Sequence, residues 1–273
     1  MLAGEAPVSV PRVLALILRS TIGLVIGSAV ILSAAPRQRA IATENRPYAA
    51  VALDYLVIFN PDSVTTVADR ILPGRGRALT ELWRTRQFEY TWLRSLTGRY
   101  ADFSVVTRDA LTYAADALAV SLTPLQRDDL LNAYLHLTPW LDASEGLRRL
   151  HAAGVRVIVL ADFSPAMLRA NAEHARLMPW FDDLVSTDAN QTFKPDPRAY
   201  QLGIDHLGLI KQDVVFAAFG GWDAAGAKSF GYPTVWVNRL QLPLEQLGVR
   251  PDVTVADMNG LVDVVLGRSP LHR

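Results

Sequence analysis

From residue 140 onward, short β-branched runs alternate with amphipathic segments of helix length, and this alternation limits the fold more than any other feature of the sequence. It predicts helix Ala143–Ala153 stopped at Gly154, strand Val155–Leu160, helix Pro165–His174 and strand Leu184–Ser186. Helix Pro197–Leu207 stopped at Gly208, strand Val214–Phe219, helix Ala224–Phe230 and strand Thr234–Asn238 follow. Strands too short for anything but a buried sheet, joined by crossover helices, predict an α/β, Rossmann-like, doubly wound parallel sheet with helices on both faces.

The first strand of that sheet is far upstream. Ala49–Leu53 is an apolar run that ends on a lone acid, Asp54, and a second run, Tyr55–Phe59, breaks at Asn60-Pro61-Asp62. Open α/β sheets bind ligands at the carboxyl ends of their strands. By itself Asp54 reads better as the cap of a turn. Between the two sheet portions the texture is helical and strand-free. Arg77–Leu96 carries apolar residues at helical spacing after a Pro73-Gly74 turn and stops at Gly98; Thr107 opens a second helix to Leu118, and Thr123-Pro124 a third. Residues 63–139 are thus expected to form an all-helical insertion, a cap, in a core built from 46–62 and 140–273. Its aromatic-rich helix around Trp83–Leu96 suits either a homodimer surface or packing on the core.

Composition excludes several chemistries. Acidic and basic residues balance at 27 each, so no nucleic-acid footprint is present. No Cys occurs, which removes disulfides, thiolate catalysis and Cys-ligated zinc. The five His (136, 151, 174, 206, 272) lack metal-site spacing. Lys occurs only at 194, 211 and 228, against 24 Arg, so a Lys in a motif draws notice.

The first 45 residues differ from the remainder. Arg12 and Arg19 precede an apolar block, Ile22–Leu32, and the small residues Ser33, Ala34 and Ala35. This is the pattern of a signal peptide. A signal anchor and a mis-assigned start codon are the alternatives, the last implying a cytoplasmic protein. The expectation is a periplasmic or secreted protein whose amino-terminal segment engages export machinery or the membrane.

Three features fall on the same rim as Asp54: Ala161-Asp162-Phe163-Ser164, the turn holding Lys194, and Gly220-Gly221-Trp222-Asp223. A carboxylate nucleophile must stay ionised and aimed, and a neighbouring ammonium does both. Prolines 195 and 197 stiffen the Lys194 turn. Lys194 also reads as a solvated loop cation, and Asp223 as a helix N-cap.

The stretches LWRTRQFEYTWLRSLTGRYADF (82–103), TFKPDPRAY (192–200) and GWDAAGAKSFGYPTVWVNR (221–239) make residues 51–239 resemble the type II (L-)2-haloacid dehalogenases of the haloacid dehalogenase superfamily. The resemblance implies hydrolysis of short (S)-2-haloalkanoates without metal or cofactor. Asp54 would displace halide and form an ester that water then cleaves, with Lys194 and Asp223 as its catalytic partners. Arg84, from the cap, would bind halide and substrate carboxylate, with Asp162, Phe163 and Trp222 around it. Arg84 reads otherwise as a partner for Glu81 or Glu89, as do Arg86 and Arg94.

Several family positions are changed. The usual Ser-Asn after the second strand is Ala161-Asp162, the Ser-x-Asn of the fourth motif is Ala218 and Gly220, and Gly-Thr after the nucleophile is Val57-Ile58. Losing one polar donor of this kind costs ~10²–10³ in rate. Asp162 would need to be neutral or paired with an Arg, and Ser164 is a candidate replacement hydroxyl. These changes resemble an exported branch of the family. A superfamily phosphatase would need acids at positions 56 and 219, which are Leu56 and Phe219. The remaining alternative is a non-catalytic or divergent small-carboxylate-binding member.

Overall fold

The structure is a computed structural model and describes residues 48–268; the segment expected to direct export lies outside them. In chain order, β1 (Ala50–Leu53) leads through a single helical turn, α1 (Tyr55–Ile58), to β2 (Phe59–Asn60). Four helices follow, α2 (Ser63–Ile71), α3 (Gly76–Thr97), α4 (Phe103–Ala117) and α5 (Pro124–Ala133), before β3 (Thr138–Pro139). Then come α6 (Ala143–Ala152), β4 (Arg156–Ala161), α7 (Pro165–His174), β5 (Asp183–Ser186) and α8 (Pro197–Leu207). The chain ends with β6 (Val214–Ala218), α9 (Gly221–Phe230), β7 (Thr234–Val237), β8 (Val253–Val255) and α10 (Met258–Val265).

Six strands pair in parallel in the order β5-β4-β1-β6-β7-β8. After β1 the chain winds outward through β4 and β5, then returns to the opposite side of β1 with β6. The carboxyl ends of β1, β4 and β6 therefore meet at the point where winding reverses, the ligand crevice of such sheets. β1 is buried throughout, and side-chain alternation splits its residues between two cores. Val51 and Leu53 join Val157, Val159, Val215 and Ala217 on one face; Ala50 and Ala52 join Ile158, Leu160 and Phe216 on the other. The first core continues into the helical segment through Leu79, Trp83 and Leu111.

Local chemistry explains most helix ends. α3 stops where Gly98 adopts φ +64, which leaves it free to accept the left-handed cap conformation. Thr123 and Gln126 form a reciprocal capping box at α5, with Pro124 at its first position. The Tyr55–Phe59 run is a helical turn followed by a two-residue strand, because Asp54 caps it by accepting the Leu56 N–H. Two expected helix starts are corrected. α4 starts at Phe103 rather than Thr107, since Asp102 accepts the Ser104 and Val105 N–H groups. α9 starts at Gly221 rather than Ala224 and Gly220 is its N-cap, so Asp223 lies inside the first turn and is not the cap. The strand-free reading of 63–139 also misses β3, which pairs antiparallel with β2.

The surroundings of α1 account for Val57-Ile58. Both side chains are fully buried. The Val57 carbonyl accepts Arg239 Nε and Nη2 at 3.1 and 2.9 Å, and Trp140 donates from Nε1 to the Leu56 carbonyl at 3.0 Å. Arg239 in turn bonds Asp142 and lies 4.8 Å from the Trp140 ring. The turn after Asp54 is thus anchored through backbone carbonyls.

The spacing of α9 from α8 and the Lys194 turn depends on Gly226. A Cβ there would strike the Tyr200 hydroxyl and come within 2.7 Å of Pro195 Cβ. We expect Gly226→Ala to destabilise the fold by about 1–3 kcal/mol through overpacking, measured as a lowered denaturation midpoint.

Candidate active site

The nucleophile position is set by backbone pairing. The Asp54 N–H donates to the Ala217 carbonyl at 2.9 Å, extending the β1–β6 ladder by one residue. Its carboxylate is held at both oxygens: Oδ1 accepts the Leu56 N–H at 2.9 Å and Oδ2 accepts Lys194 Nζ at 2.6 Å. The same ammonium reaches Asp223 Oδ2 at 2.7 Å. Lys194 and Asp223 are each only 1% exposed. The Tyr200 hydroxyl donates to Asp223 Oδ1 at 2.7 Å. Lys194 is therefore no solvated loop cation.

Burial by itself would lower the Lys194 pKa, but Asp223, Asp54 and Asp162 together reverse this and raise it, so the ammonium is kept. Burial pushes Asp223 upward against the attraction of Lys194, with Asp54 adding to the rise. Burial likewise raises the Tyr200 hydroxyl, reinforced by Asp223; this phenol stays a donor.

Above the carboxylates lies a cavity lined by Asp54, Leu56, Pro61, Arg84, Gln87, Phe88, Phe103, Tyr134, Leu137, Asp162, Phe163, Phe219, Gly220, Trp222 and Asp223. All the sequence-derived site residues except Lys194 line it; Lys194 sits beneath Asp54 and Asp223. On α3, Arg84, Gln87 and Phe88 share one face by their i, i+3, i+4 spacing. Arg84 donates from Nη2 to Asp62 Oδ1 at 3.2 Å, and not to Glu81 or Glu89. Its Nε is buried without a partner, so a donor on the cavity guanidinium is left unused. Arg86 pairs with Glu89, as expected, whereas Arg94 pairs with Asp109. Tyr134 donates to Gln87 Oε1 at 2.7 Å, and burial pushes its hydroxyl up to about 12 against the pull of Arg84.

Three aromatic residues of α3, Trp83, Phe88 and Trp92, face inward. Trp83 is fully buried, and Phe88 and Trp92 pack edge-on against Trp222 at 5.4 and 5.6 Å between centroids. Phe163 packs on Phe103 at 4.9 Å and Tyr55 at 5.3 Å. Trp222 also explains the absent side chain at 220. A Cβ on Gly220 would sit 2.7 Å from Trp222 Nε1, so the indole fills the space that an Asn would take.

Asp162 finds no Arg. Its Oδ1 accepts the Thr187 hydroxyl at 3.0 Å and the Lys194 N–H at 2.9 Å. Ser164 is no replacement hydroxyl for the cavity: it caps α7 by accepting the Met167 N–H. Sequence reading missed Asp62, Thr187 and Tyr200 as site residues. Tyr200 had a signal: it stands one turn into a helix whose first residue, Pro197, follows the Lys194 turn. Asp62 and Thr187 had none beyond their residue type.

The model of the haloacid dehalogenase-like hydrolases matches residues 20–231. The chain belongs to that family. Among these hydrolases, the (S)-2-haloacid dehalogenase of Pseudomonas sp. (strain YL) is 40% identical over 215 residues, 78% of this chain and 93% of that one. The solved L-2-haloacid dehalogenase of Xanthobacter autotrophicus has a TM-score of 0.77 at 34% identity, covering 81% of this chain and 100% of the other. A structure of the Xanthobacter enzyme with chloropropionic acid covalently bound has a TM-score of 0.76 at 34% identity over the same shares.

Removing the shared cation should leave two buried carboxylates facing each other. We expect Lys194→Met to cost about 3–5 kcal/mol at pH 8. Without Lys194, burial and the neighbouring Asp54 act on Asp223 unopposed, so its carboxyl favours protonation in the fold above its unfolded value, a cost present at high pH and lost as pH falls. The difference in melting temperature from wild type should therefore shrink between pH 8 and pH 5.

Proposed function

We propose that the protein hydrolyses short (S)-2-haloalkanoic acids to (R)-2-hydroxy acids through an aspartyl ester on Asp54. The observation that carries this reading is the carboxylate fixed at both oxygens, by the Leu56 N–H and Lys194, at the floor of a largely apolar cavity with a cationic guanidinium in its wall. The family membership and the named activities of the relatives support it.

In the first step an Asp54 oxygen attacks C2, and the carbon–halogen bond breaks with its electron pair leaving on halide. C2 inverts, and Asp54 becomes an ester. Arg84 receives the anions, and Trp222 walls the halide side. A guanidinium is most effective where negative charge develops. In the second step water adds to the Asp54 carboxyl carbon, and the bond from that carbon to the ester oxygen breaks. The proton taken by Asp223 passes to the departing C2 oxygen, so the hydroxy acid leaves with its inverted C2 intact, while Asp54 keeps the oxygen from water and releases the remaining proton to solvent. Asp223, oriented by Lys194 and Tyr200, suits the proton acceptor for that water, its raised pKa bringing it nearer to working pH. The intact Asp54–Lys194–Asp223 arrangement favours turnover over a merely binding role.

Residues 63–139 act in this reading as the cap. A homodimer, supported by the exposed Leu93 and Leu96 of α3, and export through the amino-terminal segment complete it. Sedimentation of the purified chain and amino-terminal sequencing test these two.

Chloride should appear from (S)-2-chloropropionate without added metal, and Asp54→Asn should lower the rate by at least ~10³; equal release by both proteins would overturn the reading. A single turnover in ¹⁸O-water should place the label on the peptide carrying Asp54 and not in the product. Arg84→Lys should lower kcat/KM by ~10² or more, since an ammonium does not reproduce the fork of donors.

A further inference from the structure

Among the acids lining the cavity, Asp162 differs from Asp54 and Asp223 in one respect: the Lys194 ammonium bonds the other two and not it. What Asp162 receives from Lys194 is the backbone N–H, and with the Thr187 hydroxyl this occupies Oδ1. Oδ2 takes no hydrogen bond from the described residues. Around it stand Asp54 at the end of β1, Asp223 on α9, Tyr200 on α8, Tyr100 from the loop after α3, and Lys194. Arg84 lies elsewhere in the cavity wall and is bonded to Asp62. Three carboxylates thus stand near one ammonium that bonds only two of them, and an anionic substrate would add a further negative charge beside them.

We propose that Asp162 works as a carboxylic acid whose Oδ2–H donates to the substrate carboxylate, so that the cavity accepts its anion only while Asp162 is protonated. This rests on the 2-haloacid reading above for the class of ligand. A protonated Asp has the shape of Asn, and it offers an O–H where the amide would offer an N–H. The replacement at 162 therefore keeps a donor in place and adds a dependence on pH. Burial, with help from Asp223 and Asp54 and against Lys194, raises the group to about 7, so the dependence falls in the neutral range. Asp162 is then a specificity-determining residue that touches substrate, and no proton needs to leave the pair during turnover.

The test uses propionate, which has the carboxylate but no leaving group. Its affinity for the wild-type chain should be nearly constant at pH 6 and weaken toward tenfold per pH unit above about 7. Binding at pH 8 should take up close to one proton per propionate, measured by calorimetry in buffers of different ionisation enthalpy. In Asp162→Asn both the slope and the proton uptake should vanish. A pH-independent wild type, no propionate binding, or the same slope in the variant would overturn the proposal. Should the variant not fold, absence of proton uptake in the wild type would still overturn it. Because propionate is not turned over, the outcome is separable from the catalytic reading. The expected binding pattern without halide release sinks only the catalysis, and halide release with pH-flat binding sinks only the role of Asp162.

Discussion

The Lys194 ammonium is the interaction on which the site depends. One buried nitrogen joins the end of β1, through Asp54, to the first turn of α9, through Asp223, and both bonds are short. Burying an ammonium is costly, and the cost is offset only when partners satisfy it. That requirement makes the arrangement cooperative. Asp54 stays aimed because Lys194 holds it, and Lys194 stays charged because two carboxylates flank it. The Tyr200 hydroxyl completes the set from α8. Three separate crossover connections thereby converge within a few ångströms.

At Val57, Ile58 and Gly220, three positions that depart from the family pattern, neighbours fill the space or hold the backbone. Val57 and Ile58 put apolar side chains into the core, while Arg239 and Trp140 hold the carbonyls of their turn. Gly220 yields its side-chain space to the Trp222 indole, which Phe88 and Trp92 grip from α3. The resulting chamber sets its few charged groups among Phe88, Phe103, Phe163, Phe219 and Trp222. In such surroundings each remaining charge acts with little screening. Arg84 and Asp162 accordingly carry more of the recognition than they would in a hydroxyl-lined site.

The sheet was legible in the sequence because its strands are short and β-branched and its helices periodic; α7 and α8 begin and end where their Pro, Gly and apolar spacing place them. Asp54, Lys194 and Asp223 were legible as chemistry, since each stands at a strand end or a proline-stiffened turn. Boundaries set by local side-chain capping were harder. Asp102 starts α4 four residues before the apolar pattern does, and Gly220 starts α9 without any capping side chain. β8 and α10 went unread because they follow a long irregular stretch after β7. The partners of Arg84 and Asp162 were out of reach: Asp62 and Thr187 meet them only through tertiary packing.

The two-residue ribbon of β2 and β3 has a consequence for how such chains diversify. Phe59 and Asn60 pair directly with Pro139 and Thr138, so the chain departs for the helices and comes back across a gap of about 5 Å, the spacing of neighbouring strands. To the sheet, everything between is a single closed excursion whose ends are fixed whatever its length. Loop-closure entropy grows only logarithmically with the residues enclosed. The length of the excursion is therefore free to vary while the backbone at Asp54 stays fixed, provided that the helices keep the packing of Trp83, Phe103 and Leu111 on the sheet core. Within that limit, selection on the roof can redirect which molecules reach the same carboxylate.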